Sequence, residues 1–221
     1  MPAFPDIVLD NSRLARIGLD EAILCEQKTV AQIEEIASNG AHDRARLFTR
    51  LEQEKFEALD IGVRRQMTFD PVARTAVLGQ PQPPAGPARI AIVSAGSSDA
   101  PVVAEAQATL SYFGQSTSVI SDVGVAGLWR LLDRVDEIAR HPVVIAVAGM
   151  DAALPTVLGG LVPSCLIGVP TSTGYGVAQG GQTAINAMLA SCTPGLTVVN
   201  IDNGYGAACA AIRMIRAIDH A

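Results

Sequence analysis

The sequence predicts an α/β protein: a C-terminal doubly wound parallel sheet, Rossmann-like and of about five strands, with a small N-terminal α+β domain. Three observations lead there. From Ile90 onward, short apolar runs alternate with helix-like stretches, the pattern of consecutive strand-helix-strand units. Hydrophobic residues make up 49% of the chain and charged ones 17%, as expected where strands are buried on both faces. Gly79–Ala88 packs four prolines and two glycines into ten residues, which suits a semi-rigid linker and neither helix nor strand. It separates two compositions. Residues 1–78 hold both lysines and more than half of the arginines and of the acidic residues, while residues 89–221 are rich in Ala, Val, Gly and Ile.

In the N-terminal domain, Ala22–Cys25 reads as a short strand. Thr29 opens an amphipathic helix through Val30, Ile33, Ile36 and Ala37, closed by Asn39 and Gly40. Arg46–Thr49 reads as a strand, Leu51–Leu59 as a helix and Thr75–Leu78 as a strand. Arg64, Arg65 and Arg74 suit either a solvated face or an anion contact.

The C-terminal domain opens with its organising unit. Ile90–Val93 is a strand, Ser94–Asp99 a turn of small and polar residues, a helix follows, and Thr117–Ile120 is the next strand. Gly96, Ser97, Ser98 and Asp99 offer amides, two hydroxyls and a carboxylate at the carboxyl end of the first strand, where open parallel sheets bind ligands. A phosphorylated small molecule suits them. The same residues also suit plain helix capping, with Ser98 or Asp99 as N-cap and Pro101 in the first turn. Further elements are predicted as a helix over Val125–Arg140, a strand over Val143–Val147, a short helix over Ala152–Gly160 and a strand over Cys165–Val169. A helix over Gly181–Ser191, a strand over Leu196–Asn200 and a closing helix over Gly206–Ile218 complete the chain.

If the sheet is parallel, its polar turns meet at one edge. These carry Asp99, Asp122, the Gly149-Met150-Asp151 turn, the loop Thr171-Ser172-Thr173-Gly174, and Asp202-Asn203-Gly204. Two residue types there carry chemistry. Asp151 follows a strand that is apolar from Val143 to Ala148, so burial would suit it to acid-base work; its alternative is the N-cap of the next helix. Cys192 lies between a helix and the turn Thr193-Pro194-Gly195, a placement open to a reactive thiol. Burial is the default expectation for it and for Cys25, Cys165 and Cys209.

Several classes are excluded. A formal charge of −6 with only two lysines leaves no dense basic patch for nucleic acid. No apolar run is long enough to span a membrane and no basic, apolar leader opens the chain, so a soluble, cytoplasmic protein is expected. The scattered cysteines form neither a zinc motif nor a disulfide framework.

The segment Ser94–Ala106 (SAGSSDAPVVAEA) resembles the phosphate-loop signature of the aminoimidazole ribonucleotide carboxylases and mutases of purine synthesis. Those enzymes carry a histidine after the third strand, where this chain reads Ala148-Gly149-Met150-Asp151. A wider resemblance is to the LarB-type enzymes of nickel-pincer nucleotide biosynthesis. It rests on Phe69–Thr75 (FDPVART), Ala148–Pro155 (AGMDAALP), Pro170–Gly176 (PTSTGYG), Ser191–Gly195 (SCTPG) and Val199–Gly206 (VNIDNGYG). That resemblance implies carboxylation of the pyridinium ring of nicotinic acid adenine dinucleotide, with phosphoanhydride hydrolysis releasing AMP. It implies Cys192 as nucleophile and Asp151 as the assisting acid-base group. Ser97, Ser98 and Asp99 would cradle phosphate or ribose, with Thr171, Ser172, Thr173 and Gly174 lining the pocket. Carbon dioxide or bicarbonate would be co-substrate. A magnesium ion on the diphosphate is expected from Asp99, Asp151 or Asp202. A homo-oligomer is implied too, with the alanine-rich closing helix offering a packing face. Two alternatives stand beside this: an aminoimidazole ribonucleotide carboxylase or mutase, and a nucleotide-binding module without catalysis.

Overall fold

The computed structural model describes residues 7–39 and 44–220. The chain divides into two compact units. The first runs to Pro83 and takes in Tyr112–Gly114; the second holds Pro84–Ser111 and the chain from Gln115 onward.

The first unit carries a four-stranded sheet in the order β1-β2-β4-β3, from β1 (Ile23–Leu24), β2 (Arg46–Thr49), β3 (Met67–Asp70) and β4 (Thr75–Leu78). β1 and β2 are parallel; β4 runs antiparallel to both β2 and β3. Strand β3 was not predicted. It pairs with β4 across a turn in which Asp70 Oδ1 accepts from the amides of Val72 and Ala73. The helices are α1 (Arg13–Ile17), α2 (Val30–Ser38), α3 (Gln53–Glu57) and α4 (Ile61–Arg64). Thr29 and Gln32 form a capping box at the start of α2, and Ile33, Ile36 and Ala37 turn into a core with Phe48 and Leu51. Gly40, expected to help end α2, lies outside the described residues.

The second unit is built on five parallel strands in the order β6-β5-β7-β8-β9: β5 (Ala85–Ser94), β6 (Gln115–Ile120), β7 (Val143–Ala148), β8 (Cys165–Pro170) and β9 (Thr197–Val198). Every residue of β7 is buried, the signature of a central parallel strand covered on both faces. β5 begins at Ala85, inside the stretch read as a linker, where Ala85 pairs with Gln115. The helices are α5 (Ala100–Tyr112), α6 (Leu128–Leu132), α7 (Val135–Ile138), α8 (Ala153–Gly159), α9 (Gln182–Leu189) and α10 (Gly204–Asp219).

Two expectations are corrected here. The single helix over Val125–Arg140 is a 3-10 turn followed by the short α6 and α7. Its apolar residues do not share a face: Leu131 and Ile138 are buried, while Leu128, Trp129 and Leu132 are exposed. The alanine face of α10 is turned inward, with Ala207, Ala208 and Ala211 buried and the helix packed on β7 and β8. That face is spent within its own unit, while Gly206, Ala210 and Ala217 remain partly or wholly exposed. Among the described residues, no helix is long and apolar enough to cross a membrane.

Candidate active site

A 2-1-3-4-5 strand order reverses direction between its first and third strands, here β5 and β7. A crevice forms at such a point, outside the carboxyl ends. The turns after β5, β7 and β8 meet there.

The turn after β5 divides its work. Ser97 and Ser98 are exposed, leaving their hydroxyls free for an anion. Asp99, the carboxylate expected beside them, is 2% exposed. Its Oδ2 accepts from the Gly96 amide at 3.0 Å, and its Oδ1 accepts from the Thr171 hydroxyl at 2.8 Å. Burial pushes the Asp99 carboxyl above the ordinary range, with the charge of Asp202 acting in the same direction, while hydrogen bonds from Thr171, Gly96 and Thr173 oppose it. Pro101 lies in the first turn of α5, as its fixed φ favours.

Thr171 and Thr173 tie three turns together. Thr171 donates its amide to Ala148, and Thr173 donates its hydroxyl to the Ser98 carbonyl and accepts at its own carbonyl from the Met150 amide at 3.0 Å. Gly149 is the glycine this crossing requires. A Cβ there would lie 2.3 Å from the Thr173 carbonyl and 2.6 Å from Thr171 Oγ1. Ser172 donates its amide to Asp202 Oδ1 at 2.8 Å, which fastens the turn after β9 to the turn after β8. Asn203 caps α10 by accepting from the Gly206 amide, and Gly204 is buried where a Cβ would meet the Val102 carbonyl at 2.5 Å.

Asp151 departs from expectation in both of its possible roles. It is exposed, so the burial inferred from the apolar strand before it is absent, and it does not cap α8. The N-cap position is Ala152, held left-handed at φ 48°. Three further non-glycine residues at this edge have positive φ: Asp122, Met150 and Asp202. Strain of this kind persists only where surrounding bonds over-determine the backbone, and it gathers at functional sites.

Cys192 is exposed, as is Cys165 at the start of β8; Cys25 is the buried thiol, pushed up to about 12 by desolvation. The Cys192 loop is braced against α8. The Ser191 and Thr156 hydroxyls lie 2.7 Å apart, and Thr193 donates to the Thr156 carbonyl at 2.9 Å. Thr193 also packs on Gly159, leaving no room there for a Cβ. Asp151 stands just before the start of α8, after the carboxyl end of β7, whereas the Cys192 loop leads into the amino end of β9 and is braced against the later α8 residues Thr156 and Gly159.

Sequence reasoning passed over Arg130. It pairs with Asp122, expected as a free site carboxylate, and so brings a cation beside the end of β6. Its only signal was one of three arginines inside a predicted helix. Magnesium ligands fit less well: among the described residues, no group of three or more His, Cys, Asp or Glu side chains is placed to hold a metal ion, and both oxygens of Asp99 are engaged.

A doubly wound parallel sheet with hydroxyl-bearing and glycine-bearing turns at its switch point is the arrangement at which open α/β proteins bind small molecules. Residues 89–221 match the AIR carboxylase family, and the chain belongs to that family. Residues 6–80 match the LarB/PurE-like N-terminal domain, and the pairing is that of a LarB-type protein. An uncharacterized protein of Methanocaldococcus jannaschii is 46% identical over 121 residues, which are 54% of this chain and 46% of that protein. The chain thus spans less than half the length of that relative. Both family matches support an enzyme of the carboxylase or mutase type.

Proposed function

We propose that this protein carboxylates the pyridinium ring of nicotinic acid adenine dinucleotide and hydrolyses its phosphoanhydride, giving AMP and a biscarboxylated mononucleotide for nickel-pincer cofactor synthesis. The observation that carries it is an exposed thiol, Cys192, on a loop fastened to the helix that Asp151 precedes. An aminoimidazole needs no thiol, being already electron-rich. A pyridinium ring does.

The Cys192 thiolate adds to ring carbon 4, forming a C–S bond and turning the ring into an enamine. Ring carbon 5 then attacks carbon dioxide to form a C–C bond. Asp151 takes the proton from carbon 5, the C–S bond breaks, and the aromatic ring returns with the thiolate as leaving group. Exposure suits Asp151 to give up that proton to water afterwards. Ser97, Ser98 and the amides of their turn meet the phosphate next to the nicotinate ribose, and Arg130 adds positive charge at the neighbouring strand end. A magnesium ion would be held mainly by the substrate's own diphosphate and water, and would offset the diphosphate's charge. The protein acts as a homo-oligomer, which light scattering on the purified chain tests.

The test is mass spectrometry of protein and products after incubation with the dinucleotide, bicarbonate and magnesium, comparing wild type with Cys192→Ala. AMP and a mononucleotide heavier by one carboxyl group are expected from wild type alone. No product from wild type refutes the proposal. Turnover of aminoimidazole ribonucleotide that survives Cys192→Ala would assign the purine reaction instead, and nucleotide binding without any product would leave a non-catalytic module.

A further inference from the structure

Apolar side chains stand in water at this sheet edge, Val177 of the β8 loop among them. Tyr175 is 78% exposed and Met150 is 39% exposed. Both are held there by defined backbone. Met150 is in the left-handed region at φ 55°, which a side chain adopts at a cost, and its amide is bonded to the Thr173 carbonyl. Tyr175 stands two residues beyond Thr173. Its carbonyl accepts from the Ala178 amide at 3.0 Å, and Ala178 is buried tightly against Gly174. Its main chain is thus anchored while its ring touches solvent. Thr173 links this corner to the turn of Ser97 and Ser98 through its bond to the Ser98 carbonyl.

We infer that Tyr175, with help from Met150 on the turn bonded to Thr173, is the seat for the adenine ring of the dinucleotide, a specificity subsite that rests on the function proposed above. A flat purine covers an exposed phenol ring by stacking and leaves its hydroxyl wet, and a methionine thioether adapts to the edge of such a ring. The ring concerned is the adenine. The pyridinium ring reacts with carbon dioxide and a thiolate and needs shelter from water, whereas a platform this exposed suits the end of the substrate that does no chemistry. The span between them is the diphosphate, and the hydroxyls of Ser97 and Ser98 lie along it.

The test compares wild type with Tyr175→Ala and Tyr175→Phe. Calorimetric titration with AMP should show about a tenfold loss of affinity in Tyr175→Ala and less than a twofold change in Tyr175→Phe, since stacking uses the ring and not the hydroxyl. In turnover, Tyr175→Ala should raise KM for the dinucleotide by a similar factor. KM for nicotinic acid mononucleotide, which has no adenine, should move less than twofold. Equal AMP affinity in wild type and Tyr175→Ala, undetectable AMP binding by wild type, or an equal rise in KM for both substrates overturns the assignment. AMP binding needs no turnover, so an inactive wild type that still binds AMP through Tyr175 refutes the reaction and keeps the subsite.

Discussion

Thr171→Val isolates one bond at the centre of the candidate site. The two side chains have nearly the same shape, so packing is preserved and only the hydroxyl is lost. That hydroxyl donates to Asp99 at 2.8 Å, with Thr171 0% and Asp99 2% exposed, so water has no ready access to the orphaned oxygen. A hydrogen bond to a charged group contributes about 1.5–3 kcal/mol, and leaving its buried partner unsatisfied puts the loss towards the upper end. The second unit should lose about 2–3 kcal/mol at pH 7.5, or roughly 4–10 °C in Tm for a unit of this size. The pH dependence has a definite sign. Asp99 titrates above the ordinary carboxylate range, so its ionisation already costs stability as pH rises through its folded pKa. Removing Thr171 takes away a contact that lowers that pKa and moves it further up. The deficit of the variant should therefore be full above the variant's own Asp99 pKa and shrink as pH falls below the folded pKa of the wild type, where the carboxyl is protonated in both folded proteins and the unfolded chains, alike in the two, cancel. Urea unfolding followed by circular dichroism at pH 7.5 and pH 4 measures it, with Thr171→Ser as the control that keeps the hydroxyl. A loss under about 0.5 kcal/mol at pH 7.5, a serine variant as damaged as the valine one, or a deficit no smaller at pH 4 would refute the reasoning.

Three other expectations follow from single contacts. Lys55 donates its ammonium to the carbonyls of Cys25, Glu26 and Lys28 at 3.0, 2.6 and 2.9 Å, so Lys55→Met should cost the first unit about 2 kcal/mol in urea unfolding, and Lys55→Arg should not restore it. Native iodoacetamide labelling at pH 8, read by peptide mass spectrometry, should modify Cys192 and Cys165 and spare Cys25, whose burial holds its thiol protonated; equal labelling of all three would contradict that burial. A Cβ on Gly159 would lie 1.9 Å from Thr193 Cγ2, so Gly159→Ala should shift the Cys192 loop and cut carboxylated product by about a hundredfold or less while leaving the melting of the first unit unchanged.

The parallel sheet was legible because its strands are continuous apolar runs: Val143–Ala148 admits no reading but a strand buried on both faces. Strand β3 was not, since Met67-Thr68-Phe69-Asp70 is short and half exposed, and it becomes a strand only by pairing with β4. The broken helix over Val125–Arg140 misled for the opposite reason, because exposed Leu128, Trp129 and Leu132 imitate an apolar face that never packs. In the candidate site, the turns and the glycines were readable as a set, while their individual tasks were not. Asp99 finds Thr171 72 residues away, and Arg130 finds Asp122 across a turn. Such pairings depend on which strands become neighbours and in what register, and that is decided by the whole sheet.

The same dependence explains where the backbone strain sits. Of the six described non-glycine residues with positive φ, Asp122, Met150, Ala152 and Asp202 stand at the carboxyl edge of the second unit. Each costs of the order of 1 kcal/mol or more that an unstrained turn would not. Met150 is held by Thr173, and Asp202 is held twice, by its amide on Pro170 and its carboxylate on the Ser172 amide. The bonds that hold the strain are therefore the bonds that join the β8 turn to its neighbours. A glycine at any of these positions would relieve strain and keep the main-chain contacts but would lose the side-chain ones. Three of the side chains have tasks that glycine could not perform: Asp202 locks two turns together, Asp122 pairs with Arg130, and Met150 is partly exposed at the corner where the substrate ring is inferred to lie.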